Sequence, residues 1–482
     1  MTGVYTPPFR PYDHQAKALA KMDGQEAFAL FMQMRTGKTK TLLDDYGRLE
    51  LAGSCKNLMV IAPGGVYRTW RTAAEEHLSD DLKKRLKVGL WQSGMGAIAK
   101  RSFDFFMAER EAPRLLLMNV EALSSVKAAR EAALAFLQAD TAMLAVDEST
   151  IIKNASSQRT KFINGKLSQH AEYRRILSGL PTPKSPLDLY GQMEFLDWRI
   201  LGFRSYFSFR SRYAVIKQEH FGGRVVPTVV GYRDVEDLQR RLDKNSFRVL
   251  LEDCYDLPPK VYMRREVELT PEQARMYKEM KAYATAQIAA EAHVSATVVV
   301  AQIIRLHQIL CGHTVDELGN EHSIPENRTT ALLEILEEHE GKAIIWCSYG
   351  HDIQKVAAAL EAQFGAGSVA RFWGGNVKTR EAEEAAFLKD PACRFMVATA
   401  SAGGRGRTWT VADLTIYYSN SYDLEARAQS EERTQGVGKA VSAAYIDLFV
   451  PDTVDEKIIQ ALRNKIDLAA AVTGDGYREW LI

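Results

Sequence analysis

Residues 27–51, AFALFMQMRTGKTKTLLDDYGRLEL, decide the fold. An apolar run, 27–34, leads into MQMRTGKT (32–39), and a helix-like stretch, 39–51, leads out. Strand, glycine-containing loop and helix in that order form a phosphate cradle: Gly37 lets backbone N–H groups close around the oxyanions, and Lys38 reaches the β/γ oxygens. Thr36, Gly37, Lys38 and Thr39 are therefore the expected nucleotide-contacting run, with the Thr39 hydroxyl on Mg²⁺. A second apolar run, 142–148, ends in the acidic pair Asp147–Glu148 of LAVDEST. Asp147 is the expected second anchor for the metal and Glu148 the group that orients the attacking water. The cofactors implied are ATP and Mg²⁺.

Outward from this pair of segments the alternation continues. Strands are predicted over 27–34, 57–63, 114–120, 142–148 and 174–179, and helices over 39–51, 67–78, 97–110, 121–139 and 156–167. Such alternation predicts a parallel α/β sheet with helices on both faces. Loops at the carboxyl ends of its strands carry ligands, and both the GKT loop and Asp147–Glu148 fall there. From 201 to 325 the rhythm turns helical, with long patterns at 270–292 and 295–310. Alternation then resumes, with strands at 342–348, 368–374, 394–400, 414–419 and 443–450. The expected organisation is one α/β lobe over 1–200, a mostly helical insert and linker over 201–325, a second α/β lobe over 326–470 and a tail over 471–482.

The chain of 482 residues, 46% hydrophobic, has core enough for two or three domains. Its formal net charge of +1 provides no global field toward nucleic acid, so any such site is a local groove. Five scattered cysteines without a Cys-x-x-Cys spacing suit a reducing compartment. His307, Cys311 and His313 in RLHQILCGH come nearest to a metal-ligand cluster and lack a fourth partner. No apolar run reaches membrane-spanning length, and the N-terminus has no apolar leader pattern, so no membrane partner is expected.

Further motifs carry a resemblance. Tyr12 and Gln15 lie in RPYDHQ, followed by APGGVYRTW (62–70), DESTIIKNASS (147–157) and LSGLPTPKSPLDLYGQMEFL (177–196). DLPPK (256–260), SAGGRGRTW (401–409) and QSEER (429–433) complete the series. In this order they resemble the superfamily 2 helicase-like ATPases, specifically the compact bacterial or phage-like Swi/Snf-type DNA translocases, from about Arg10 to Val450. The resemblance implies two RecA-like lobes with ATP between them and Gln15 reading adenine. It makes Ser178, Gly179, Gly404, Gly406 and Gln429 coupling residues and sends Arg433 to the γ-phosphate. It implies double-stranded or branched DNA as partner, a protein partner in replication, recombination or defence, and a cytoplasmic, nucleoid-associated place in a bacterial or phage-infected cell. A strand-separating helicase, a non-hydrolysing ATP-gated clamp and a motor subunit of a larger complex are the competing readings.

Two departures stand out. Arg35 occupies a loop position where the family commonly has glycine; it either adds charge near the phosphates or projects to solvent. Motif VI of the family carries a second arginine, and that position is Gly436 here. Glycine offers neither charge nor donor, so the altered arginine finger implies slow hydrolysis, unless Arg405, Arg407 or Lys439 takes the role. FRSYFSFRSRY (203–213) interleaves arginines with aromatics; burial of the rings is favoured there over base stacking.

Overall fold

The computed structural model describes residues 4–64, 66–221, 224–255, 260–290, 296–316, 318–403, 408–435 and 442–473. The chain forms two compact units. One comprises the described residues of Met1–Val215, Gly231–Asp256 and Leu468–Gly476; the other comprises those of Ile216–Val230 and Leu257–Asp467.

Seven strands build the first unit's sheet: β1 (Ala27–Met32), β2 (Asn57–Ala62), β3 (Lys87–Leu90), β4 (Arg114–Asn119), β5 (Ala142–Asp147), β6 (Tyr173–Leu177) and, after the paired strands β7 (Ala214–Phe221) and β8 (Arg224–Tyr232), β9 (Ser246–Val249). Their order is β3-β4-β2-β5-β6-β1-β9, every pairing parallel. All residues of β1, β2 and β5 are buried, which is why these strands read as unbroken apolar runs rather than alternating ones. Three helices bear on the site: α1 (Asp13–Met22), α2 (Lys38–Leu51) and α3 (Thr69–His77). Leu42, Leu43 and Tyr46 of α2 and Trp70 and Ala74 of α3 join β1, β2 and β5 in one apolar core.

The second unit holds β10 (Val261–Glu266), the antiparallel pair β11 (His313–Val315) and β12 (Glu321–Ser323), then β13 (Lys342–Trp346), β14 (Val369–Phe372), β15 (Phe395–Ala398), β16 (Ala412–Tyr417) and β17 (Ala444–Phe449). Its six-stranded parallel sheet runs β10-β17-β16-β13-β15-β14. Separate apolar clusters cover its two faces, one around Ile345 and Val356, the other around Trp346 and Trp409.

The segment 201–325 has the expected long helices, Pro271–Ala290 and Ala296–Leu310. It also contributes six strands, which the helical reading did not anticipate, and two of these complete the sheets. β9 extends the first sheet beyond β1, and β10 extends the second beyond β17. Both escaped because they are edge strands: SFRV is buried only at its ends, and VYMRRE is exposed at five of six positions. β3 was missed for the same reason, being four residues long and only partly buried. Among the described residues no helix is long and apolar enough to cross a membrane.

Candidate nucleotide site

Strand register assembles the site. β5, β6 and β1 are neighbours, with Asp147 level with Leu177 and Leu177 level with Leu30. The loops leaving their carboxyl ends, which hold Glu148, Ser178–Gly179 and the GKT residues, are therefore brought together. Ser178 N–H donates to the Leu30 carbonyl (3.1 Å) and fixes its loop against β1, the strand that leads into the GKT loop. Lys38 Nζ completes the grouping: a Cβ on Gly179 would stand 3.8 Å from it.

Gly37 caps α2 with φ +86°, a left-handed conformation that favours glycine. Steric need reinforces it, since a Cβ there would come within 2.1 Å of Gln15 Nε2. Gln15, 2% exposed, accepts from Tyr12 N–H (3.1 Å) and donates to the Thr36 carbonyl (3.2 Å). His14 Nε2 donates to that same carbonyl (2.8 Å). Thr36 is fully buried and donates through Oγ1 to the Gln33 carbonyl (2.8 Å), whereas Lys38 and Thr39 remain partly exposed. Thr36 thus shapes the loop from inside, and Lys38 and Thr39 face outward from the first turn of α2.

That helix is anchored along its length. Arg175 of β6 pairs with Asp45 (2.9 Å), both buried, and also donates to the Gln25 and Glu26 carbonyls before β1. Lys40 and Asp44 form a second buried pair at 2.5 Å. Burial pushes the Asp44 carboxyl up, with Lys40 drawing it back.

Asp147 is buried and accepts from Trp70 Nε1 (2.9 Å) and Glu148 N–H (3.0 Å). Desolvation raises its carboxyl above the usual range; Trp70, Lys38 and the Glu148 amide oppose the shift. A buried carboxylate that keeps lone pairs beside an ammonium fits a magnesium-bound triphosphate, whose charge would offset the burial. Glu148 follows with φ +49°, ψ +61°, a left-handed turn that re-aims the chain as β5 ends.

Several positioning residues carry no sequence signal of their own. Trp70 is buried in the first unit's core, and a buried indole N–H needs an acceptor, which here is Asp147. Gln192, fully buried, accepts from Ser149 Oγ (2.6 Å) and donates to the Pro181 (2.7 Å) and Asp188 (2.8 Å) carbonyls. It bridges the loop after Asp147 to the loop after Ser178. Arg248 of β9 donates to the Phe31 (3.1 Å) and Gly179 (2.8 Å) carbonyls.

A profile of the SNF2-related domain matches residues 17–315, well over half of the chain. The chain belongs to the SNF2-related family. This SNF2-related chain is 25% identical over 343 residues to Protein CHROMATIN REMODELING 4 of Arabidopsis thaliana, a match covering 68% of this chain and 15% of that protein. Human TATA-binding protein-associated factor 172 is 23% identical over 390 residues, covering 68% and 20%. The Drosophila melanogaster SWI/SNF-related matrix-associated actin-dependent regulator of chromatin subfamily A-like protein 1 is 22% identical over 335 residues, covering 68% and 40%. The chain spans less than half the length of these curated relatives. Among solved structures, the Sulfolobus solfataricus SWI2/SNF2 ATPase core in complex with dsDNA is 19% identical, covers 98% of this chain and 96% of that one, and superposes with a TM-score of 0.43.

In the SNF2-related chain's second unit, Gln429 lies on the helix Leu424–Glu431 and Arg433 just beyond it. Arg433 is 2% exposed and its Nε donates to the Gln429 carbonyl (2.8 Å). Arg427, on the same helix, is structural: it stacks on Tyr417 at 3.4 Å and bonds Asp447 (2.5 and 3.1 Å), Glu431 (2.8 Å) and Asn420 (2.7 Å). Gly404, Arg405, Gly406, Arg407, Gly436 and Lys439 lie outside the described residues. In 203–213 the rings of Phe203, Phe209 and Tyr213 pack together, and Phe209 and Tyr213 are fully buried, as the burial reading expected. Phe207 alone stands well out, 73% exposed.

Proposed function

We propose that this chain is an ATP-driven motor on double-stranded DNA. The observation that carries the reading is the grouping of Lys38, Asp147 and Gly179 at the ends of three adjacent parallel strands, in a chain of a family whose ATPases are generally ATP hydrolases. Bound Mg–ATP would supply the phosphoryl group whose transfer to water drives movement. Backbone N–H groups at the start of α2 and the Lys38 ammonium hold the phosphate oxygens. Thr39 Oγ1 and the Asp147 carboxylate would hold the metal, and Glu148 would orient the attacking water and take its proton. Gln15, tied to the Thr36 carbonyl, transmits occupancy of the base site to the phosphate loop.

DNA is engaged through its phosphates, which needs local cationic and polar groups and no base readers. Exposed Arg68, Thr69 and Arg71 flank Trp70, whose indole is bonded to Asp147. A phosphate contact on α3 is therefore one side chain away from the metal-binding carboxylate, and that is the proposed route by which DNA stimulates turnover. Gly436 at the arginine-finger position favours slow turnover.

The test is steady-state ATP hydrolysis with and without duplex DNA, on the natural sequence and on Lys38→Ala. The motor reading expects turnover that rises with duplex and disappears in Lys38→Ala. Turnover indifferent to duplex would remove DNA as the track, and turnover surviving Lys38→Ala would remove this loop as the nucleotide site.

A further inference from the structure

His313 stood out in the sequence as part of an incomplete ligand set with His307 and Cys311, and the fold gives it different partners. It begins β11, and its cross-strand neighbour on β12 is Ser323, so both side chains leave one face of the hairpin. Against that face lies the first turn of the helix Gly350–Phe364, which carries His351 and Asp352. The His313 and His351 rings stack with centroids 4.5 Å apart. His313 Nδ1 is 3.3 Å from Asp352 Oδ1. One ligand atom from each of the three residues lies within 4.8 Å of the others.

Hydrogen bonding sorts these atoms into two sets. The outer atoms are engaged: His351 Nε2 pairs with Ser323 Oγ (2.9 Å), and Asp352 Oδ2 accepts from Ser419 Oγ (3.2 Å). His351 Nδ1, Asp352 Oδ1 and both ring nitrogens of His313 are buried without a hydrogen bond among the described residues, and of the two His313 nitrogens Nδ1 is the one that faces Asp352. His313 and Asp352 are fully buried. Burying these donors and acceptors without hydrogen bonds is unfavourable, and their convergence points to an occupant. Lys355, the nearest ammonium on that helix, is turned to Glu326 (3.0 Å) and the Cys311 carbonyl (2.6 Å). Two imidazoles and one carboxylate, with the outer atoms of His351 and Asp352 held by hydroxyls, have the chemistry of a transition-metal site oriented by its surroundings.

We propose that His313, His351 and Asp352 bind one divalent transition-metal ion, zinc by ligand type. The ion pins the β11–β12 hairpin to the helix that follows β13. Water would complete the ion's coordination. This ion is separate from the nucleotide's magnesium: imidazole nitrogen suits zinc or cobalt, while magnesium prefers oxygen ligands.

The experiment uses the whole chain, stripped with chelator and returned to magnesium-containing buffer without nucleotide. Zinc is titrated in competition with a chromophoric chelator, cobalt by its visible absorption, and melting is followed with and without zinc. The expected result is one equivalent per chain, intense four-coordinate cobalt bands and a zinc-dependent rise in Tm. His351→Gln, at the partly exposed ligand, should weaken zinc at least tenfold and abolish the Tm rise while circular dichroism stays unchanged. Ser323→Ala, which removes only the outer hydrogen bond, should weaken it by a smaller factor. Less than one equivalent bound by the natural sequence, or unchanged affinity in His351→Gln, would overturn the proposal.

Discussion

Arg35 has φ +67°, in the left-handed region where a side chain is strained. The family's usual glycine therefore answers a backbone requirement of the loop, and arginine meets it at a cost of about 1–2 kcal/mol. Comparing Arg35→Gly with Arg35→Ala isolates that cost, because both remove the side chain and only alanine keeps the strain. The glycine variant should be the more stable of the two by about 1 kcal/mol in urea denaturation. Asp147 makes a second residue-level prediction. Burial raises its pKa in the folded state, so the ionised carboxylate opposes folding at neutral pH, and this penalty fades as pH falls through the raised value. Asp147→Asn should accordingly gain more stability relative to the natural sequence at pH 7.5 than at acid pH, without nucleotide, and should lose ATP hydrolysis. An equal difference at both pH values would contradict the shift.

Single elements position the site through contacts that no local pattern announces. The roll of α2 about its axis, and with it the direction of Lys38 and Thr39, is held by Asp45 on Arg175, from strands and helices far apart in sequence. The short helix Leu189–Leu196 lies so close to the turn after Glu148 that a Cβ on Gly191 would be 2.4 Å from the Ile152 carbonyl. From this helix Gln192 joins the two loops. Gln192→Leu would keep the bulk and strand the Ser149 hydroxyl and the Pro181 carbonyl, lowering first-unit stability by about 3 kcal/mol. Hydrogen exchange in residues 149–153 and 178–182 should rise together, since one side chain restrains both. A change confined to one loop would show that Gln192 does not couple them. The element boundaries themselves were largely legible: β1, β2, β4 and β5 begin where their apolar runs begin. The predicted helix at 121–139 is instead two helices, Ala122–Ser125 and Lys127–Leu137, because Val126 takes an extended conformation between them.

At the scale of the whole molecule, two parallel sheets with their own cores account for the two α/β stretches of the sequence. Only the first carries the GKT loop, and the second carries Gln429 and Arg433. Turnover in the full chain is expected to be limited at position 436, where the family's arginine neutralises charge on the transferred phosphoryl group. Gly436→Arg should raise DNA-stimulated ATP hydrolysis, by up to the order of 10³–10⁵. If the natural sequence already matches Gly436→Arg with duplex present, glycine is not limiting and another cation serves.

The sequence by itself determined the parallel α/β class, the phosphate loop, the acidic pair and the family resemblance. These depend on local signals: runs of apolar residues long enough to be buried on both faces, and motifs whose chemistry needs contiguous residues. The tertiary structure alone decided that Gln15 closes on Thr36 and Gly37, that Trp70 and Gln192 brace the loops after Asp147 and Ser178, and that β9 and β10 complete the sheets. It alone brought His313 to His351 and Asp352. Each of these is a pairing across a long stretch of chain, between polar or half-exposed residues. Burial and hydrogen-bond partnership arise only when distant segments pack together, and no periodicity within either segment records them.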